Sequence, residues 1–176
     1  MHSLANRKLI LGSTSVYRRE LLERLRVPFS VESPHVDESP LPGELPATLA
    51  CRLALAKAQA VAERFPDAVV IGSDQVADLD GVALSKPGTH ASAVHQLHQM
   101  SGQVVIFQTA VAVVRADTGF TGEALVPVTV RFSTGTGVPV IPDANPNSRP
   151  YGMAIRFTLP KGGFTDFVGI SYDGFP

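Results

Sequence analysis

Cations, hydroxyls and carboxylates gather at four places in the first half of this 176-residue chain, each suited to a phosphate or a hard cation. The first is Gly12-Ser13-Thr14-Ser15-Val16-Tyr17-Arg18-Arg19, which follows the apolar run Leu9-Ile10-Leu11. A strand that leaves through small residues into a helix presents unpaired N–H groups and a positive dipole end. Cations in that first turn are disfavoured by a few tenths to about 1 kcal/mol. Two adjacent arginines there therefore favour a bound anion. A phosphate chain fits, with Ser13 and Ser15 as hydroxyl donors and Arg18 and Arg19 as charge-assisted ones. The plainer alternative is an ordinary Ser cap beside a solvated basic face.

The second place is Lys57. Along residues 46–65 a helical period puts Leu49, Leu53, Lys57 and Ala60/Val61 on one stripe, and Arg52, Ala56, Gln59 and Glu63 on another. A lysine on the apolar stripe is costly to desolvate unless it meets an anion or snorkels outward. The third place is Gly72-Ser73-Asp74-Gln75, after the apolar run Ala68-Val69-Val70-Ile71. Ligands of α/β sheets collect beyond the carboxyl ends of strands, where Asp74 would be catalytic, metal-binding or simply a turn residue. Asp37-Glu38, Asp78 and Asp80 are further oxygen donors for a cation such as Mg²⁺. The fourth place is Lys86-Pro87, a fixed loop cation ahead of a helix that Thr89 would cap and Ser101-Gly102 would end. His95 and His98 read as a polar helix face, and Cys51 as a small core residue.

These residues need an α/β scaffold. The expected elements are a strand at 8–11, a helix at 16–26 with Leu21, Leu22 and Leu25 on one face, the helix at 46–65 and a strand at 68–71. A hairpin at Leu79-Asp80-Gly81-Val82 follows, then a helix from Thr89, a β-rich stretch at 103–115 and a turn at Asp117-Thr118-Gly119. Fifteen Lys+Arg against sixteen Asp+Glu leave a formal charge of -1, which excludes a global field for nucleic acid or an anionic membrane. One cysteine excludes an internal disulfide, and no long uncharged apolar run occurs, so a cytoplasmic protein is expected.

In order and spacing, KLILGSTSVYRRELLERL, VDES, LALAKAQAVA, VVIGSDQVADLDG, LSKPGT and MSGQVVIFQTAVAV resemble the Maf family of house-cleaning nucleotide pyrophosphatases. The resemblance covers about residues 7–127. It implies a Maf/ITPase-like mixed sheet flanked by helices and hydrolysis of a nucleoside triphosphate between its α and β phosphates, with Mg²⁺ or Mn²⁺. By motif, Ser13, Ser15, Arg18, Arg19, Lys57 and Lys86 would hold the phosphates. Glu38 and Asp74 would bind the metal, with Asp74 also the general base. Tyr17 and Gln75 look like the branch that acts on 7-methyl-GTP: an aromatic face attracts the cationic methylated base, and an amide can read its edge. A homodimer is a further expectation.

Residues 128–176 change in character. Gly and Pro make up 13 of these 49 residues, which favours a loop-rich β tail over a second domain. The blocks RFS, PYGMAIRF and FTDFVGIS resemble a fragment of a catalase-related haem peroxidase, so the chain reads as a chimera. All five His precede residue 100, so no haem is expected in the tail. The competing readings are a catalytically dead nucleotide-binding remnant and a haem-binding module.

Overall fold

The structure is a computed structural model that describes residues 7–132, 154–158 and 164–168. Its elements are β1 (Leu9–Gly12), α1 (Val16–Glu23), β2 (Ser30–Glu32), α2 (Pro46–Ala62), β3 (Val69–Leu79), β4 (Val82–Leu84), α3 (His90–Met100), β5 (Val104–Arg115), β6 (Phe120–Phe132), β7 (Ala154–Thr158) and β8 (Phe164–Val168). The strands follow the order β2-β1-β3-β5-β6-β7-β8, with β4 paired to β3 off that path. Two compact units divide the chain: residues 1–76 with 108–127, and residues 77–107 with 128–176.

In the first unit β1 runs parallel to both β2 and β3, with Ile10 opposite Ser30 and Gly12 opposite Gly72. Its core joins Ile10, Leu11 and Val70 of the strands to Leu49, Leu53 and Val61 of α2. Pro46 opens α2, a position where its missing N–H costs nothing. The small row Ala50, Ala54 and Ala58, spaced by four residues and fully buried, lets this helix lie close to the strands. A Cβ on Gly72 would overlap the carbonyl oxygen of Ala54 and stand 2.6 Å from the Ala58 nitrogen. A Cβ on Gly12 would stand 3.2 Å from the Lys57 carbonyl oxygen. Paired glycines thus form a notch under the turn of α2 that carries Lys57.

The second unit has its own cluster of Met100, Val105, Val130 and Phe132, packed round by Leu79, Leu84, Leu97 and Phe107. Its β3–β4 hairpin turns at Asp80 and Gly81, both with positive φ, as the Asp-Gly pair predicts. Thr89 caps α3 by accepting from the Ser92 N–H at 3.2 Å, and Ser101 follows its last turn. The turn at residues 116–118 leads through Gly119, at φ 67°, into β6.

Three expectations change. The helix after β1 ends at Glu23, not 26. None of its residues is buried: Leu21 is 58% exposed and Leu25, just beyond the helix, 66%, while Arg18 and Leu22 are its half-buried side chains. The apolar run at 68–71 does not stop before Gly72, since β3 continues to Leu79 and Ser73, Asp74 and Gln75 are strand residues. Their low strand propensity is overridden by pairing: β5 flanks β3, and β4 closes on its last residues. The short strand β2 had no sequence signal beyond Val31. Of the tail, β7 and β8 pair antiparallel, with Ile155 opposite Phe167, and β7 pairs with β6. The rest of the catalase-like stretch lies outside the described residues.

Candidate active site

Gly12 ends β1, and the chain turns through Ser13 and Thr14 into the α1 cap at Ser15, whose hydroxyl accepts from the Arg18 N–H at 3.4 Å. The first turn of α1 contains no acidic residue, so its positive end is balanced by nothing on the helix itself. Buried Ser13 accepts from the Ser15 N–H at 3.2 Å and from Arg18 Nη1 at 3.3 Å. Its own proton is left to donate. The two arginines part company: Arg18 turns inward, with Nη2 4.0 Å from Asp74 Oδ1, whereas Arg19 pairs with Glu23 on the exposed face at 3.0 Å.

Lys57 is 4% exposed, so it does not snorkel. Its Nζ stands 2.6 Å from Asp74 Oδ1 and 2.6 Å from Glu38 Oε1. Alternation along β3 puts Val70, Gly72, Asp74 and Val76 on the buried face, which explains why Asp74 meets α2. The same alternation sends Gln75 to the opposite face, where Nε2 donates to Thr109 Oγ1 of β5 at 2.7 Å. Among the described residues Asp74 is contacted at Oδ1 alone, which leaves Oδ2 open to accept.

The segment between β2 and α2 carries Glu38, and sequence reasoning missed what holds it. Arg52, on the outer stripe of α2, grips Glu44 through Nε at 2.6 Å and Nη2 at 2.8 Å, and Nη2 also donates to the Ser39 carbonyl at 3.0 Å. Asp37 accepts from the Ser39 N–H at 2.9 Å and so is occupied by the turn itself. The only signal was a Glu eight residues ahead of an Arg across a helix start. The Arg52 guanidinium, then the Leu41 N–H, hold the Glu44 carboxyl down at about 2. A depressed carboxyl contributes stability above its unfolded value near 4.5 and loses it as pH falls toward 2. Glu44→Gln is therefore expected to flatten the fall of Tm between pH 4.5 and 2, read by calorimetry; an unchanged acid limb would show that the clasp does not form.

Tyr17 is 78% exposed beside Arg18. Lys86 belongs to the second unit, exposed between β4 and α3. Asp78 accepts from the Gly81 N–H in the hairpin, and Asp80 is at its tip. His95 and His98 are exposed, and burial raises the half-buried Cys51 thiol. Among the described residues no three His, Cys, Asp or Glu converge. Two carboxylates directed at one point do suit a hard divalent cation that takes its other ligands from phosphate oxygens and water.

Fold and site together define an α/β protein with hydroxyls and an arginine at the start of one helix, beside a buried lysine of another helix that bridges two carboxylates. Solved structures share the fold: the Ham1 protein of Staphylococcus aureus at TM-score 0.54 and 14% identity, covering 88% of this chain and 82% of that one. A nucleoside-triphosphatase, dITP/XTP pyrophosphatase, from Mycobacterium abscessus gives TM-score 0.50 and 17% identity, covering 82% and 80%. The Maf-like protein family model matches residues 8–137, past residue 127 and through the whole of β6. The chain belongs to the Maf family. A relative from Polaromonas sp. strain JS666, named 7-methyl-GTP pyrophosphatase, is 67% identical over 127 residues, which are 72% of this chain and 58% of the relative. One of the same name from Albidiferax ferrireducens is 68% identical over 126 residues, 72% and 63%. The chain thus spans about three fifths of the length of these curated relatives. Among the described residues no helix is long and apolar enough to cross a membrane.

Proposed function

We propose that the chain is a nucleoside triphosphate pyrophosphatase that cleaves 7-methyl-GTP to 7-methyl-GMP and pyrophosphate. The observation that carries this reading is the buried Lys57 bridging Asp74 and Glu38 beside the Arg18–Ser13 pair. The high identity to relatives of that name supports the substrate. Ser13, Ser15 and Arg18 receive the phosphate oxygens at the start of α1, Lys57 neutralises more of their charge, and Lys86 enters as a phosphate contact on its sequence match alone. A Mg²⁺ or Mn²⁺ ion held by Glu38 and Asp74 would supply further neutralisation of the phosphate oxygens.

A water oxygen forms the new bond to the α-phosphorus as the bond from phosphorus to the α–β bridging oxygen breaks. The electron pair leaves with pyrophosphate. Asp74 Oδ2 accepts the water's proton, with the carboxylate held toward the site by its place on the buried face of β3. Tyr17 offers its exposed ring to the cationic base. Arg19 and Gln75 enter as phosphate and base contacts on their sequence match alone. A cytoplasmic location and a homodimer complete the proposal, with the residues beyond the family match, which ends at 137, a catalase-related graft.

Pyrophosphate release from 7-methyl-GTP, GTP, dTTP and UTP with Mg²⁺ or Mn²⁺ tests it. The expected result is 7-methyl-GTP turnover at least about tenfold faster than the others, the scale on which one desolvated contact discriminates. Nucleotide binding with no turnover would overturn it in favour of a non-catalytic remnant.

A further inference from the structure

We propose that Lys57 is a resident counter-ion that holds the place of the divalent cation, so that the metal enters with the nucleotide and not before it. This rests on reading Glu38 and Asp74 as the metal ligands. Both carboxylates are directed at the same ammonium, each 2.6 Å from Nζ. Lys57 is 4% exposed on the inner stripe of a helix whose backbone is seated against Gly12 and Gly72. The lysine therefore cannot retreat into water by moving the helix.

Glu38 is already paired with Lys57, and Asp74 with both Lys57 and Arg18, so a bare divalent cation does not meet two uncompensated carboxylates. To bind alone it must also displace the ammonium, leaving a buried cation without a partner. A triphosphate removes both obstacles. Its oxygens give Lys57 a new partner, and the freed carboxylate lone pairs can then take the metal. Coupling of this kind is reciprocal: nucleotide tightens metal, and metal tightens nucleotide.

The test titrates Mn²⁺ into the full chain at pH 8, with free Mn²⁺ read by electron paramagnetic resonance, alone and with the non-hydrolysable α,β-methylene analogue of GTP. The expected wild-type affinity rises at least about tenfold with the analogue bound. Lys57→Met and Lys57→Gln, each checked for native circular dichroism, are expected to bind Mn²⁺ alone at least about tenfold more tightly than wild type and to lose the nucleotide dependence. Wild-type affinity equal with and without bound analogue, or variants no tighter than wild type, would overturn the counter-ion role and leave the site reading standing. Tight binding in Lys57→Met that survives an added Asp74→Asn would place the metal elsewhere and overturn both.

Discussion

Asp74→Asn is expected to lower kcat for 7-methyl-GTP by about 10³-fold or more while leaving KM unchanged or lower. General-base assistance contributes roughly 10²–10⁴-fold, and the same change weakens a proposed metal ligand. The amide keeps the shape of the carboxylate and can still accept from Lys57 Nζ, so the core beneath it should survive. Removing a negative charge beside the phosphates does not harm binding, which is why the loss falls on kcat. The comparison with Glu38→Gln sharpens the test. Glu38 is 44% exposed against 10% for the Asp74 side chain, so its removal is expected to cost activity mainly at limiting metal, with rescue by excess Mn²⁺. Asp74→Asn should not be rescued in this way. Steady-state pyrophosphate release at two metal concentrations separates the cases, and an Asp74→Asn enzyme within tenfold of wild type would sink the assignment of the base.

Gly72→Ala is expected to cost about 3 kcal/mol or more, seen as a fall in Tm of roughly 6–12 °C. The new methyl would overlap the Ala54 carbonyl and press on Ala58 N at 2.6 Å, and both are helix backbone that can yield only if α2 moves as a whole. An alanine also restricts the unfolded chain, a gain of about 0.4–1 kcal/mol, too small to offset the clash. Gly12→Ala is the internal control: its nearest contacts, 3.2 Å to Lys57 O and 3.3 Å to a Val61 methyl, ask for shifts of only tenths of an ångström. It should cost roughly 1 kcal/mol. Equal stability of the two variants, measured by denaturant titration, would mean that the helix does not ride on Gly72.

The two halves of the site were unequally legible. Lys57 could be read because a 3.6-residue period is a strong signal and Leu49, Leu53 and Val61 mark its stripe on both sides. The cap at Ser15 and the turn at Asp80-Gly81 were readable because their chemistry is local. Asp74 was singled out for a reason that did not hold: it is not past the end of its strand, but on a strand that outlasts β1, whose pairing ends at Gly12 opposite Gly72. Arg52 and Glu44 were not legible because their meeting depends on the path of the segment between them, which no spacing rule fixes. The exposure of Leu21 and Leu25 was missed because an apolar face says nothing about whether a neighbour covers it.

The paired glycines have one more consequence, for error. If β3 paired one residue out of step with β1, every side chain of the strand would change face, and Ser73 or Gln75 would stand before Lys57 in place of Asp74. Such an impostor would keep most of its hydrogen bonds and do no chemistry. It would also drive Ile71 or Ser73 into the notch beneath Ala54 and Ala58, where even a methyl does not fit. The glycine that admits the helix is thereby a proofreader, and the Asp74 carboxylate faces inward because the mispaired chain has nowhere to put its neighbours.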